Sequence, residues 1–209
     1  MSGAPRIGIL ALQGDVREHS ETVVAAGGFP VPVRRAAELE GVDALILPGG
    51  ESTTIARLLR IFGLMEPLRE RIASGLPVLG TCAGMILLAD TIADPAKDGD
   101  GTPQESVGGL DVTVERNAFG RQVDSFETDL LLAPFEGEDP VPDAGGLRAV
   151  FIRAPQILAA GPAVRVLAEV EGFPVAVQQG VLLATSFHPE SAGETRFHVW
   201  LVRTAASRG

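Results

Sequence analysis

The stretch Leu76-Pro-Val-Leu-Gly-Thr-Cys82-Ala-Gly-Met-Ile-Leu-Leu-Ala89 decides how this chain is read. Residues 78–80 form a short apolar run of the kind found in buried strands, and residues 83–89 continue at once as an apolar helix, with no loop between. Cys82 therefore stands at the bend. Gly80-x-Cys82-x-Gly84 has the spacing of a nucleophile elbow, in which small flanking residues let the backbone turn tightly and present the middle side chain. The helix start adds unpaired N–H groups and the positive end of the helix dipole, which favour the thiolate, the form that attacks carbonyl carbon. The N–H of Ala83 is then a donor for an oxyanion. On this stretch alone a buried structural cysteine fits equally well, since free cysteine is commonly buried.

The composition sets the frame around the elbow. With 209 residues, 45% hydrophobic and 21% charged, the chain suits one compact domain spanning residues 1–209. Its single cysteine has no internal disulfide partner, and residues 1–6 lead into a strand rather than a signal sequence, so the expected setting is a reducing cytoplasm. No apolar run approaches the ~18 residues needed to span a bilayer. Acidic residues number 27 against 17 basic, a net charge of -10 with no Lys/Arg-rich block, so neither nucleic acid nor a membrane is an expected partner.

On either side of the elbow, strand and helix patterns alternate. Residues 6–12 are a near-continuous apolar run, as in a strand covered on both faces. Asp15 and Glu18 are spaced as a capping pair for a helix through Ala26, which Gly27-Gly28 closes. Strands at 31–34 and 43–47 flank a short helix at 36–40. This rhythm predicts an α/β fold of three layers, flavodoxin-like, with a mostly parallel central sheet, helices on both faces and ligand sites beyond the carboxyl ends of the strands. Pro48-Gly-Gly-Glu-Ser-Thr-Thr54 lies at such an end. There Gly49 and Gly50 permit unusual backbone angles, and Ser52 is placed to cap the helix running to Phe62. The loop suits donors for an anionic oxygen or an ordinary Gly-rich turn, but lacks the Gly-Lys-Ser/Thr ending of a phosphate loop.

A further helix at 66–74 leads into the elbow, and after it the composition changes. Residues 94–106 and 136–146 are polar and rich in Gly, Pro and Asp, and read as surface insertions. Residues 110–115 alternate as a strand, and the following turn carries Arg116 and Arg121. A strand at 150–153 ends in Arg153. Arginine there suits bidentate binding of a carboxylate, or a surface salt bridge. Strands at 164–170, 175–178 and 181–185, the last two joined by a tight turn at Gln179-Gly180, bring the chain to Ser186-Phe-His-Pro-Glu190 and a final helix at 194–205. His188 leaves a strand end with Glu190 close behind, the arrangement of a general base and its orienting acid; alone, it reads equally as a surface histidine.

Taken together, Gly80-x-Cys82-x-Gly84 and His188-x-Glu190 resemble the Cys-His-Glu pattern of class I, triad-type glutamine amidotransferases. Within that group the blocks Leu10-Ala-Leu-Gln-Gly-Asp15, Leu47-Pro-Gly-Gly-Glu-Ser-Thr53, Val114-Glu-Arg-Asn-Ala-Phe-Gly-Arg-Gln122, Phe151-Ile-Arg-Ala-Pro155 and Thr185-Ser-Phe-His-Pro-Glu190 are similar to the family of glutaminase subunits of pyridoxal 5'-phosphate synthase. The likeness runs from about residue 6 to the final helix. It implies that Cys82 attacks the side-chain amide of L-glutamine, that His188 protonates the departing ammonia and then activates water, and that Glu190 orients the imidazole. It further implies that Gly50, Glu51, Ser52, Arg116, Ile152 and Arg153 contact the substrate, that no metal or cofactor is used, and that a synthase subunit is the partner in a hetero-oligomer.

Gly49, Gly50 and Ala83 are the expected oxyanion donors. Because two consecutive glycines let a peptide plane turn over at little steric cost, the Gly49-Gly50 peptide is the expected switch, with Gln13-Gly14 carrying the docking signal. Two other readings compete. One is a glutaminase serving another synthase, such as the imidazole-glycerol-phosphate branch, which the 114–122 block disfavours. The other is a non-catalytic α/β subunit with Cys82 as redox sensor, which has no need of His188 and Glu190.

Overall fold

The computed structural model describes residues 3–97, 101–116, 125–136 and 146–208. Arg121 and residues 137–145 of the second insertion lie outside them. The chain begins with β1 (Arg6–Leu10), α1 (Val16–Ala25), β2 (Phe29–Val33), α2 (Ala36–Glu40) and β3 (Ala44–Leu47). It continues through α3 (Ser52–Ile61), α4 (Met65–Ala73), β4 (Val78–Thr81), α5 (Ala83–Leu88), β5 (Ala89–Ile92) and β6 (Leu110–Glu115). Then come β7 (Ser125–Leu130), β8 (Leu147–Ile152), β9 (Gln156–Ala160), β10 (Arg165–Val170), β11 (Phe173–Gln179) and β12 (Leu182–Thr185). A 3-10 turn, Pro189–Ala192, and α6 (Arg196–Ala206) complete it.

A seven-stranded sheet in the order β10-β11-β12-β4-β3-β1-β2 forms the middle layer. Its strands β2, β1, β3, β4 and β12 run parallel, while β11 and β10 are antiparallel. Every residue of β3 and β4 is buried. Leu45, Leu47 and Val78 face α3, α4 and α5, while Ile46 and Leu79 on alternate positions face α1 and α6. Two apolar faces on one strand explain why these segments read as unbroken apolar runs. The α6 side is aromatic, with Phe187 and Phe135 edge-on to Phe197, centroids 5.7 Å apart in each pair. Edge-to-face geometry of this kind adds to the stabilisation from burying the rings.

The sequence pattern does not announce β5, β7 and β9, which belong to a three-stranded sheet β5-β6-β9 and a two-stranded ribbon β7-β8. The reason lies in their exposure: each turns only one residue, Ala89, Leu130 or Ile157, fully inward, too few for an alternating pattern. Two capping expectations are also corrected. Asp15 precedes α1, but its side chain makes no cap bond. Ser52 is the first residue of α3, and Glu51 is the cap, its carboxylate accepting from the Thr54 N–H at 2.7 Å.

At the elbow, Cys82 has φ 48° and ψ -103°, outside the regions L-residues favour. The glycines beside it serve close approach. A Cβ on Gly84 would lie 1.9 Å from the carbonyl oxygen of Leu47, and one on Gly80 would lie 2.7 Å from the Gly84 carbonyl oxygen. The first turn of α5 is thus pressed against the end of β3. Gly84→Ala is expected to destabilise the protein by about 3 kcal/mol or more, because the obstruction is backbone that cannot swing aside. Urea unfolding measures this, and a loss under about 1 kcal/mol would show the contact to be yielding.

Candidate active site

Four neighbouring parallel strands end at the same edge, and each delivers part of one site. The turn after β1 brings Gln13 and Asp15, β3 brings Gly49, Gly50, Glu51 and Ser52, β4 brings Cys82, and β12 brings His188 and Glu190. This is the switch point of an open sheet, where β1 has β2 on one side and β3 on the other. From the ribbon, β8 adds Ile152 and Arg153, and it is tied to the site by the His188 N–H donating to the Val150 carbonyl at 3.1 Å. The residues enclose a cavity of about 320 Å³ lined by Gln13, Asp15, Gly50, Glu51, Ser52, Cys82, Ala83, Ile86, Arg116, Ile152, Arg153, His188 and Ser191.

Cys82 lines this cavity and is 6% exposed, more enclosed than an elbow side chain pushed into the open. Its Sγ lies 4.0 Å from the Ile152 carbonyl oxygen. His188 Nδ1 meets Glu190 Oε1 at 2.8 Å and Asp15 Oδ2 at 3.2 Å, which leaves Nε2 for the Cys82 thiol, also a hydrogen-bond partner of the ring. Burial alone would lower the imidazole's pKa. The bonds to Asp15, Cys82 and Glu190 outweigh it and push the pKa up to about 12, so the ring is an imidazolium at neutral pH. Nδ1 and the two carboxylates all lie within 4.8 Å of one another, a spacing a metal site also shows, but 2.8 and 3.2 Å are N–H···O distances that a proton on Nδ1 satisfies.

Gly49 packs on the ring, since a Cβ there would fall 2.3 Å from His188 Cε1. Its carbonyl oxygen accepts from the Asp15 N–H at 3.3 Å and its N–H donates to Thr81 Oγ1 at 3.1 Å. Gly50 has φ 152°, a glycine conformation, and Gln13 Oε1 beside it accepts from the Glu51 N–H at 2.8 Å. Glu51, half-exposed, also pairs with Arg116 Nη2 at 3.0 Å. Burial opposes its charge, but bonds from Thr53 and Thr54 prevail and hold its carboxyl below the ordinary range. Ser52 donates to Gln104 Oε1 at 3.3 Å, so the 94–106 insertion reaches under the site.

Sequence reasoning missed Asp15 as a partner of His188, having matched it to a capping pattern, and missed Ile86, Ser191 and Gln104. Asp15 was accessible to it as a carboxylate just past the end of the first strand, where ligand sites gather. It also missed His19 and His198, both 0% exposed, behind Glu190. Ordinary amphipathic spacing carried no signal for them.

Comparison with known proteins places the fold and the family. A solved structure described as a glutamine amidotransferase superposes with TM-score 0.82 at 46% identity, covering 96% of this chain and 98% of that one. PurLQS from Thermotoga maritima, at 16% identity and TM-score 0.65 over 98% of this chain and 99% of its own, shares the fold. The fold is therefore that of the class I glutamine amidotransferases. The profile of the SNO glutamine amidotransferase family matches residues 9–207, and this chain belongs to that family. Similar relatives include the pyridoxal 5'-phosphate synthase subunit PdxT of Frankia alni, 58% identical over 100% of this chain and 98% of the relative. PdxT of Kineococcus radiotolerans is also 58% identical, over 99% and 98%. No helix among the described residues is long and apolar enough to cross a membrane.

The buried histidines make a pH prediction. Burial, opposed by Glu194, holds the His198 pKa down to about 4, against an ordinary 6.5. Burial first, then the proximity of the His198 and His188 rings, also lowers that of His19. Both stay neutral where the unfolded chain takes up protons, so their contribution to stability is full above pH 6.5 and is lost as pH falls toward 4. Unfolding free energy is expected to drop between pH 7 and pH 5, and His198→Leu to remove about 2 kcal/mol of that drop. Equal drops in parent and variant would contradict a neutral buried His198.

Proposed function

We propose that the chain hydrolyses L-glutamine to L-glutamate and ammonia through Cys82, His188 and Glu190, as one catalytic domain in the cytoplasm. It hands the ammonia to the synthase subunit of pyridoxal 5'-phosphate synthase. The observation that carries this reading is the meeting of thiol, imidazole and carboxylate in one cavity, with Nδ1 bound to Glu190 and Nε2 left for the thiol. Similarity to PdxT subunits over the whole chain supports the partner.

The steps follow from the geometry. The Cys82 thiolate adds to the side-chain amide carbon, and the oxyanion is received by the N–H of Ala83 and by the Gly49-Gly50 peptide. Collapse breaks the C–N bond while the His188 imidazolium gives its Nε2 proton to the departing nitrogen, leaving a thioester on Cys82. The imidazole then takes a proton from water as it attacks the thioester, and glutamate leaves. Glu190 fixes the tautomer and stabilises each imidazolium. At the far end of the cavity Glu51 offers a negative partner for the substrate's ammonium, while Arg116 and Arg153 suit its carboxylate. Arg116 Nε is buried with no partner among the described residues, as a donor awaiting an acceptor would be. Ser52 and the carbonyl of Ile152 complete the walls.

In the substitutions that test this, Cys82→Ala is expected to abolish glutamate release in the presence of the synthase subunit. Glu190→Gln should lower kcat at least ~10-fold while leaving KM within a few-fold. Substantial turnover by Cys82→Ala would rule out the nucleophile, and unchanged kcat in Glu190→Gln would make that carboxylate a bystander.

The Gly49-Gly50 peptide is the reading's regulatory part. Its carbonyl is tied to the Asp15 N–H, and the Gln13 side chain lies against Gly50, where a Cβ would come 2.6 Å from Gln13 Oε1. Synthase docking is expected to raise hydrolysis ten-fold or more, about 1.4 kcal/mol in barrier. Gly49→Ala is a poor probe because its methyl strikes the imidazole. Gln13→Ala leaves that ring untouched, and stimulation by the synthase should fall in it. Equal stimulation in both proteins would remove Gln13 from the pathway.

A further inference from the structure

We propose that His19 is a positioning residue for the glutaminase reaction, holding the Gly49 peptide through Thr81 and packing behind the Glu190 carboxylate. The proposal rests on the glutaminase reading above. Helix α1 turns two residues fully inward, His19 and, one turn later, Val23. At the Val23 position the core takes an apolar side chain, as burial favours; at His19 it takes an imidazole, whose desolvation needs hydrogen bonds to offset it.

Those bonds lead to the site from behind. His19 Nε2 lies 3.1 Å from Thr81 Oγ1, and the same oxygen accepts the Gly49 N–H at 3.1 Å. Thr81 is the residue before Cys82, and Gly49 carries one side of the expected oxyanion pocket. His19 Nε2 also lies 3.7 Å from Glu190 Oε1, the oxygen that binds His188. One ring atom therefore faces both the hydroxyl that holds the glycine strand and the carboxylate that holds the catalytic base.

The other ring nitrogen is anchored. His19 Nδ1 meets His198 Nε2 at 2.9 Å, with the rings tilted 37°. In either tautomer of this neutral pair, Nε2 of His19 remains bonded to Thr81: as acceptor from the hydroxyl in one, as donor to it in the other. Glu190 Oε2 and His198 Nδ1 are buried with no partner among the described residues. A pair of imidazoles that leaves one nitrogen unsatisfied is a poor choice for filling space, and the connection from α6 through α1 to Gly49 accounts for its presence.

The test measures glutamate release with the synthase subunit present, together with thermal melting and the rate at which iodoacetamide alkylates Cys82. His19→Leu fills the space and removes both nitrogens. It is expected to lower kcat 10- to 100-fold with KM within about three-fold and alkylation within about three-fold, since thiol and His188 are untouched. His19→Gln, whose amide can reach Thr81, should recover part of the loss.

Thr81→Val breaks the same connection from the other side with a side chain of equal shape. It should lower kcat by a similar factor, with the His19→Leu/Thr81→Val double variant no worse than the weaker single one. A folded His19→Leu with kcat within two-fold of the parent, or losses that multiply in the double variant, would overturn the proposal. Should His19→Leu not fold, an unchanged kcat in Thr81→Val overturns it. A parent that hydrolyses no glutamine with the synthase present would instead overturn the underlying glutaminase reading.

Discussion

The site depends on a backbone contact: α5 begins with its Gly84 so close to the Leu47 carbonyl that no side chain fits between them. That approach forces Cys82 into a positive φ and sets the elbow beside the loop that leaves β3. Had the helix stood off by the width of a methyl group, the thiol and the Gly49-Gly50 peptide would lie too far apart to act on one carbonyl group. Buried parallel strands on both sides make the contact rigid, since β3 and β4 have no exposed residue through which to relax.

Electrostatics does the rest. The imidazole of His188 is buried, which disfavours its charge, yet three acceptors close around it, two carboxylates on Nδ1 and the thiol. The balance favours the imidazolium, the form required of the proposed proton donor to the departing nitrogen. Asp15 is the unusual member, a second carboxylate 3.2 Å from a nitrogen already held by Glu190, and it sits on the same turn whose N–H holds the Gly49 carbonyl. Glu190, His188, Asp15 and the glycine strand are thus a single bonded assembly, in which His19 and Thr81 form the rear wall.

Much of this was legible in the sequence, for stated reasons. Unbroken apolar runs fixed the parallel strands, and the elbow spacing around Cys82 and the His188-x-Glu190 pair marked two strand ends that proved to be neighbours. What pattern reading could not supply was the direction of short polar side chains. Asp15 matched a cap but turns to His188, and Ser52 matched a cap that Glu51 makes instead. His19 looked like any helix residue because its importance lies in contacts made 62 and 179 residues away in sequence. The strands β5, β7 and β9 escaped because each buries too little to leave a period.

On the proposed mechanism Cys82 carries the acyl group between two half-reactions. Mass spectrometry of the chain, quenched in acid during glutamine turnover with the synthase subunit present, tests it most directly. The expected result is a γ-glutamyl adduct confined to the peptide containing Cys82, absent from Cys82→Ala and lost on standing at neutral pH. Turnover in the same sample with the glutamyl group on another residue would contradict it.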